Sequence, residues 1–290
     1  MDLISATLLL LSVSFAATRN VLIKGFSAFS FKSREFFGIQ SSIFGAGSIA
    51  LLMVNAYKFS GISGFTFLLA LIYGAMLLCA QWFYTIALSK GKTAICATIY
   101  AFGFLIPTLS GTVFWQEKIS VLGYLGILMV IPVLIISGFN KKTEGVKNGS
   151  KSYLLPLIVA MICSGGLGVI QKIQQKSDFA SQTNSFILIA FAFCFLTSFL
   201  FFIFKKKGET KIKPKNLIFC SVIGIFFATC NLLNTYLAGR LNSSILFPVL
   251  NIGSILFSLI LGLIIYKEKL TKRDYIVLSL SIASIILVNF

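Results

Sequence analysis

The sequence predicts an all-α fold, a polytopic membrane protein of ten transmembrane helices arranged as two inverted five-helix repeats. Three observations lead there. The first is composition: 57% of the 290 residues are hydrophobic, 11% are charged, and the mean hydropathy is +0.95. So few charges leave the surface of a water-soluble chain of this length uncovered. The second is the length of the apolar runs. A helix crosses a bilayer with about 20 mostly apolar residues, and lipid requires every backbone polar group to be paired within a helix or a closed barrel. The runs here are continuous rather than alternating, which selects helices. The third is a polar linker near the midpoint, residues 140–152, with five apolar runs on each side.

The first run, 2–18, has no basic segment ahead of it and no cleavage site, so Leu3 to Ala17 reads as a retained span rather than a signal peptide. The spans that follow are 38–56, 64–88, 93–115 and 119–139, which complete a first repeat over residues 1–139. After the linker come 153–173, 184–204, 215–238, 243–266 and 274–290, a second repeat over residues 153–290. The link from Lys205 to Lys215 is also polar, but no link is long enough to hold a soluble domain. An odd number of helices per half sends the second half into the membrane with the opposite orientation. An offset of 151 residues aligns the halves without gaps, setting Ala87 on Ala238, Leu105 on Leu256, Gly111 on Gly262, Glu117 on Glu268 and Lys118 on Lys269.

The net charge of +17 suits nucleic acid in a soluble chain. Here the basic residues lie at the ends of spans, and no basic domain remains to form a groove, so the expected partner is the lipid bilayer and not nucleic acid. Of the 25 Lys and Arg residues, 20 fall in the odd-numbered links between spans and 5 in the even-numbered ones. The positive-inside rule then puts the odd links in the cytoplasm and both termini outside. Six cysteines lie within apolar runs at no CxxC spacing, and the chain has no histidine. Neither a metal site, a disulfide framework nor any other cofactor is expected.

Each half carries a small apolar helix ending in an acidic-basic turn: Gly111-Thr-Val-Phe-Trp-Gln-Glu117-Lys-Ile-Ser120 and Gly262-Leu-Ile-Ile-Tyr-Lys-Glu268-Lys-Leu-Thr271. With ten spans divided five and five, the chain resembles the EamA type of the drug/metabolite transporter superfamily over its whole length. The resemblance implies a carrier with a central cavity formed by spans three, four, eight and nine, efflux as the direction, and a bacterial inner membrane as the location. It also implies cytoplasmic termini, against the charge count. The prolines depart from the family's even placement, since Pro107 lies ten residues before Glu117 and Pro248 twenty before Glu268.

A polar side chain in mid-membrane is costly unless it faces protein or water, so such residues are candidate substrate contacts. In span three these are Tyr73, Gln81, Trp82 and Tyr84; in span four, Thr98 and Tyr100. Span eight offers Asn231, Asn234 and Thr235, the two asparagines on one face, and span nine offers Asn251. The repeat offset makes Tyr100 and Asn251 equivalent. The same side chains also suit hydrogen bonding between helices. Pro107 and Pro248 each free a carbonyl and serve as hinge or structural kinks. Gly165, Gly166 and Gly168 suit close helix approach. Glu117 and Glu268 read as structural anchors at helix ends, with gating as a second role.

All eight acidic residues lie at helix ends or in links. Exchange of a proton for an organic cation needs a buried ionisable group, so the sequence favours a neutral or zwitterionic solute. Gly91-Lys92-Thr93 ends like a phosphate loop, but Ile86 stands where the upstream glycine belongs, and no ATPase partner is implied. The reading is a secondary transporter of small polar metabolites such as amino acids, monomeric or homodimeric. Multidrug or organic-cation efflux is the alternative, with cation–π contacts from Trp82, Tyr84, Tyr100 or Trp115. An intramembrane enzyme or lipid-handling scaffold is more distant, for lack of a metal set or nucleophile–base pair.

Overall fold

The computed structural model describes residues 2–24, 33–55, 61–90, 96, 99–138, 153–204, 214–266 and 272–289. Within them the chain forms ten α-helices and no strand. They are α1 (Leu3–Lys24), α2 (Ser33–Asn55), α3 (Gly64–Lys90), α4 (Leu105–Trp115, entered through a 3-10 turn at Phe102–Phe104), α5 (Val121–Gly138), α6 (Leu154–Lys176), α7 (Thr183–Phe204), α8 (Pro214–Arg240), α9 (Ser243–Tyr266) and α10 (Lys272–Asn289). Helices α1, α2, α3, α6, α7 and α8 are long and apolar enough to cross a membrane, while the apolar stretches of the other four span fewer than 18 described residues. Large apolar side chains such as Leu10, Met53, Phe114, Leu155, Phe204 and Ile264 face outward, as lipid contact requires.

Local chemistry explains the starts of several helices. Asp2 accepts from the Ser5 N–H at 3.4 Å, Ser63 Oγ from the Thr66 N–H at 3.1 Å, and Ser120 Oγ from the Gly123 N–H at 3.0 Å, so each caps its helix three residues on. Pro214 opens α8 where its missing N–H costs nothing. Pro107 sits in the first turn of α4, directly after the 3-10 turn. Its ring cannot bond the Gly103 carbonyl, which instead lies against Gly165 of α6, where a Cβ has no room. Pro248 lies inside α9 and Pro132 inside α5, the latter unremarked in the sequence.

The helices of the two halves of the chain interleave. Helix α2 packs on α7 and α8, α3 on α6 and α7, α1 on α8 and α9, α4 on α6 and α9, and α5 on α10. One core joins α2, α3, α6, α7 and α8 around Phe44, Tyr73, Phe186 and Phe191, and a second joins α1, α4, α5, α8 and α9 around Val130, Leu237, Leu246 and Ile252. Gly224 of α8 lies so close to the Ile43 carbonyl of α2 that a side chain there would force the helices apart. Small residues at such crossings are what apolar solvent selects, because packing rather than water exclusion drives association there.

Two helix ends differ from the hydropathy reading in a way that matters. Helix α1 runs to Lys24 rather than ending at 18, and α6 runs to Lys176 rather than 173. Hydropathy marks where the apolar stretch stops, but backbone hydrogen bonding continues past it. Arg19, beyond the predicted span 2–18, therefore lies within α1, and Lys172, at the edge of the predicted span 153–173, lies a full turn inside α6.

Candidate functional site

A cavity of about 760 Å³ lies between the two halves of the chain. Its polar lining comes from Arg19 and Asn20 of α1, Gln40 of α2, Tyr73, Gln81 and Tyr84 of α3, Tyr100 ahead of α4, Gln171 of α6, Asn231 and Asn234 of α8, and Asn251 of α9. Phe36, Phe104, Phe227 and Phe247 supply apolar wall. The size and the mixture of apolar wall with a few amides and phenols suit a small-molecule site. No Asp or Glu is among the lining residues.

Several of these side chains are held by hydrogen bonds between helices. Tyr73 donates its hydroxyl to Asn231 Oδ1 at 2.6 Å, and Gln171 Nε2 donates to the Tyr73 oxygen at 3.0 Å, tying α3, α6 and α8 together. Asn231 Nδ2 is occupied by the Phe227 carbonyl at 2.8 Å. Asn234 Oδ1 accepts from Ser12 Oγ, which joins α1 to α8. Asn251 Nδ2 donates to the Phe247 carbonyl at 3.2 Å, within its own helix. Tyr84 and Tyr100 pack with ring centroids 4.4 Å apart and planes tilted by 37°, and the Arg19 guanidinium carbon lies 3.9 Å from the centroid of Phe227.

Of the residues singled out in the sequence, Tyr73, Gln81, Tyr84, Tyr100, Asn231, Asn234, Asn251 and Pro107 line the cavity. Trp82 does not: it packs 4.9 Å from both Phe36 and Phe37, because its helical position turns it toward α2. Thr235 does not either, being fully buried with its hydroxyl on the Asn231 carbonyl at 2.8 Å. Pro248 is buried away from the lining. Thr98 and Glu268 lie outside the described residues. Sequence reasoning passed over Arg19, Asn20, Gln40 and Gln171. The run Gln171-Lys172-Ile173-Gln174-Gln175 was the available signal for α6, since so many polar residues within one apolar helix need partners.

The Glu117 turn closes one end of the bundle. Gln116 adopts a left-handed conformation (φ 53°), which ends α4 and lets the Glu117 N–H reach back to the Gly111 carbonyl at 3.1 Å. Glu117 then points across to the other half. Its Oε2 accepts from the Ser243 N–H at 2.6 Å, at the start of α9, and its Oε1 lies 2.5 Å from Lys172 Nζ. Lys172 also donates to the Leu241 carbonyl at 2.9 Å, just past the end of α8. The carboxylate thus meets a helix N-terminus and the ammonium a helix C-terminus, the favourable sense in both cases. Lys172 is 1% exposed. A Cβ on Gly111 would collide with the Glu117 carboxylate and Ser243, which explains a glycine six residues before the acid.

The same end carries further polar ties. Gln182 Oε1 accepts from the Ser63 N–H and hydroxyl, each at 3.1 Å, and Gln174 Nε2 donates to the Phe179 carbonyl at 2.8 Å. Asp2 lies 4.0 Å from Arg240, and the Ser5 hydrogen bond holds its carboxyl below the usual range. The cavity lies toward the opposite end. Arg19 and Asn20 sit late in α1, Phe36 early in α2, Tyr84 late in α3 and Cys220 early in α8.

Residues 151–290 match the EamA-like transporter family. The C-terminal half of the chain is EamA-like. That agrees with the repeated Gly-x(5)-Glu-Lys turn and with the drug/metabolite transporter superfamily, a class of membrane transporters. A protein of known crystal structure matches 99% of this chain and 96% of its own with a TM-score of 0.79 at 12% identity, a likeness of fold. No curated protein matches the chain.

Proposed function

We propose that the chain is a secondary transporter of small polar metabolites such as amino acids, exporting or equilibrating them by alternating access between two inverted five-helix halves, residues 1–139 and 153–290. The observation that carries the reading is the cavity itself: about 760 Å³, lined by amides and phenols from both halves, with a buried ion pair between the halves at one end. Two further features support the inverted arrangement. The order of three longer and two shorter apolar helices recurs in each half. The principal contacts also come in exchange-related pairs: α3 with α6 corresponds to α1 with α8, α2 with α8 to α3 with α7, and α1 with α9 to α4 with α6. Such a contact pattern is what two halves rocking about a shared site require.

In this arrangement the even-numbered links seal one face, and solute reaches the cavity from the face of the odd-numbered links. Charge bias makes that face the cytoplasmic one. Release on the far side needs Glu117 to part from Lys172 and Ser243. Reconstituted protein loaded with unlabelled amino acids should accumulate labelled amino acid by counterflow without a proton gradient. Uptake confined to an imposed pH gradient would overturn the uncoupled part of the reading. Counterflow by organic cations alone would replace the substrate class.

A further inference from the structure

We infer that the solute carried through this cavity bears a carboxylate, received by Arg19. The inference rests on the carrier reading above and names the substrate class for that site. Arg19 lies in α1, in a stretch apolar enough to cross a membrane (Leu3–Asn20), and it lines the cavity. Among the described residues its guanidinium has no ion-pair partner: the acids that pair with cations there are Glu117, taken by Lys172, and Asp2, facing Arg240. Among the described residues no acidic side chain lines the cavity, and Arg19 Nε is buried without a hydrogen-bond partner. Arg19 is half-buried, and a buried donor of a charged group left without a partner is costly, so structures keep one where something else completes it.

The geometry points to what completes it. The Arg19 guanidinium carbon lies 3.9 Å from the Phe227 ring centroid, a cation–π contact that leaves the buried Nε–H without a hydrogen-bond partner. A planar fork of donors matches a carboxylate in two parallel hydrogen bonds. Among the described lining residues Arg19 is the one cation, which suits a singly charged acid group better than a phosphate monoester. Asn20 offers a neutral donor and acceptor to the rest of the solute, and the paired Tyr84 and Tyr100 offer it an aromatic wall. An organic cation entering the same space would meet Arg19 with no acid to offset it, which opposes that class.

The test uses the full chain in lipid nanodiscs and two matched pairs of probes, L-leucine with L-leucinamide and L-phenylalanine with L-phenylalaninamide. Titration calorimetry should show the acid of at least one pair binding about 10- to 100-fold more tightly than its amide, the span expected of a charge-assisted contact. Arg19→Gln should abolish that preference through lost affinity for the acid, while Arg19→Lys should keep part of it. Equal affinity for acid and amide in the unaltered protein overturns the inference without any variant needing to fold. So does a preference that survives Arg19→Gln. If the amides alone bind and exchange across proteoliposomes, the carrier reading stands and the carboxylate assignment fails. If no probe binds, the small-metabolite reading fails and the assignment with it.

Discussion

At the scale of single residues, Lys172 and Glu117 form the contact with the largest consequence. Lys172 is 1% exposed, and among the described residues its ammonium meets a carboxylate oxygen at 2.5 Å and a carbonyl at 2.9 Å. Removing one partner of such a pair leaves the other charge buried. Glu117→Gln should therefore lower stability to unfolding in detergent by about 3–5 kcal/mol, and adding Lys172→Met should recover much of the loss. A double variant no more stable than Glu117→Gln alone would show that the pair itself was not responsible. Glycines separate by what faces them. Gly111→Ala drives a Cβ into the Glu117 carboxylate and Ser243, whereas Gly166→Ala meets only the flexible end of Met76. The first should lower the melting temperature clearly more than the second. Glu117 was visible in the sequence as part of a repeated motif. Lys172 was not, because a charge near the end of an apolar run looks like a link residue until the helix is seen to continue.

At the scale of elements, the ends and crossings of helices decide how the site is held. Gln116 occupies a left-handed conformation that glycine adopts without cost. Gln116→Gly should stabilise the protein by up to about 1 kcal/mol, measured by unfolding in detergent, with no change in the helices on either side. Tyr73 is the shared knot of α3, α6 and α8. Tyr73→Phe strands Asn231 Oδ1 and the donor of Gln171 and should cost about 1–3 kcal/mol by the same measurement. Ten apolar helices and most of their ends were legible from hydropathy. The roles of their polar residues were less so. Periodicity put Trp82 beside the candidate face but could not say that α2 covers it, and it offered Asn231 both as a tie between helices and as cavity lining, where it serves as both.

At the scale of the whole molecule, the cavity and the polar lattice lie toward opposite ends of the bundle. In a background with the six cysteines replaced, Gln81→Cys should react with a membrane-impermeant thiol reagent from the face of the odd-numbered links and resist it from the other. Adding Glu117→Gln with Lys172→Met should raise its reactivity from the even-numbered face. Unchanged protection there would mean that the ion pair does not govern that entrance. The all-helical, membrane-spanning class was readable because lipid limits a chain to so few solutions. The cavity was only partly so, since Arg19 and Gln171 reach it through the relative placement of α1, α6 and α8, which no single helix pattern encodes.

In the carrier proposed above, the ion pair at Glu117 would also set a population. The contact joins the end of α4 to α6 and to the start of α9, so its strength would enter the equilibrium between carriers facing one side and carriers facing the other. Each change of about 1.4 kcal/mol in that contact shifts the ratio tenfold. A solute with no preference between the two states leaves that ratio untouched however tightly it binds. Turnover of such a carrier would then be tuned at a turn that never touches its cargo.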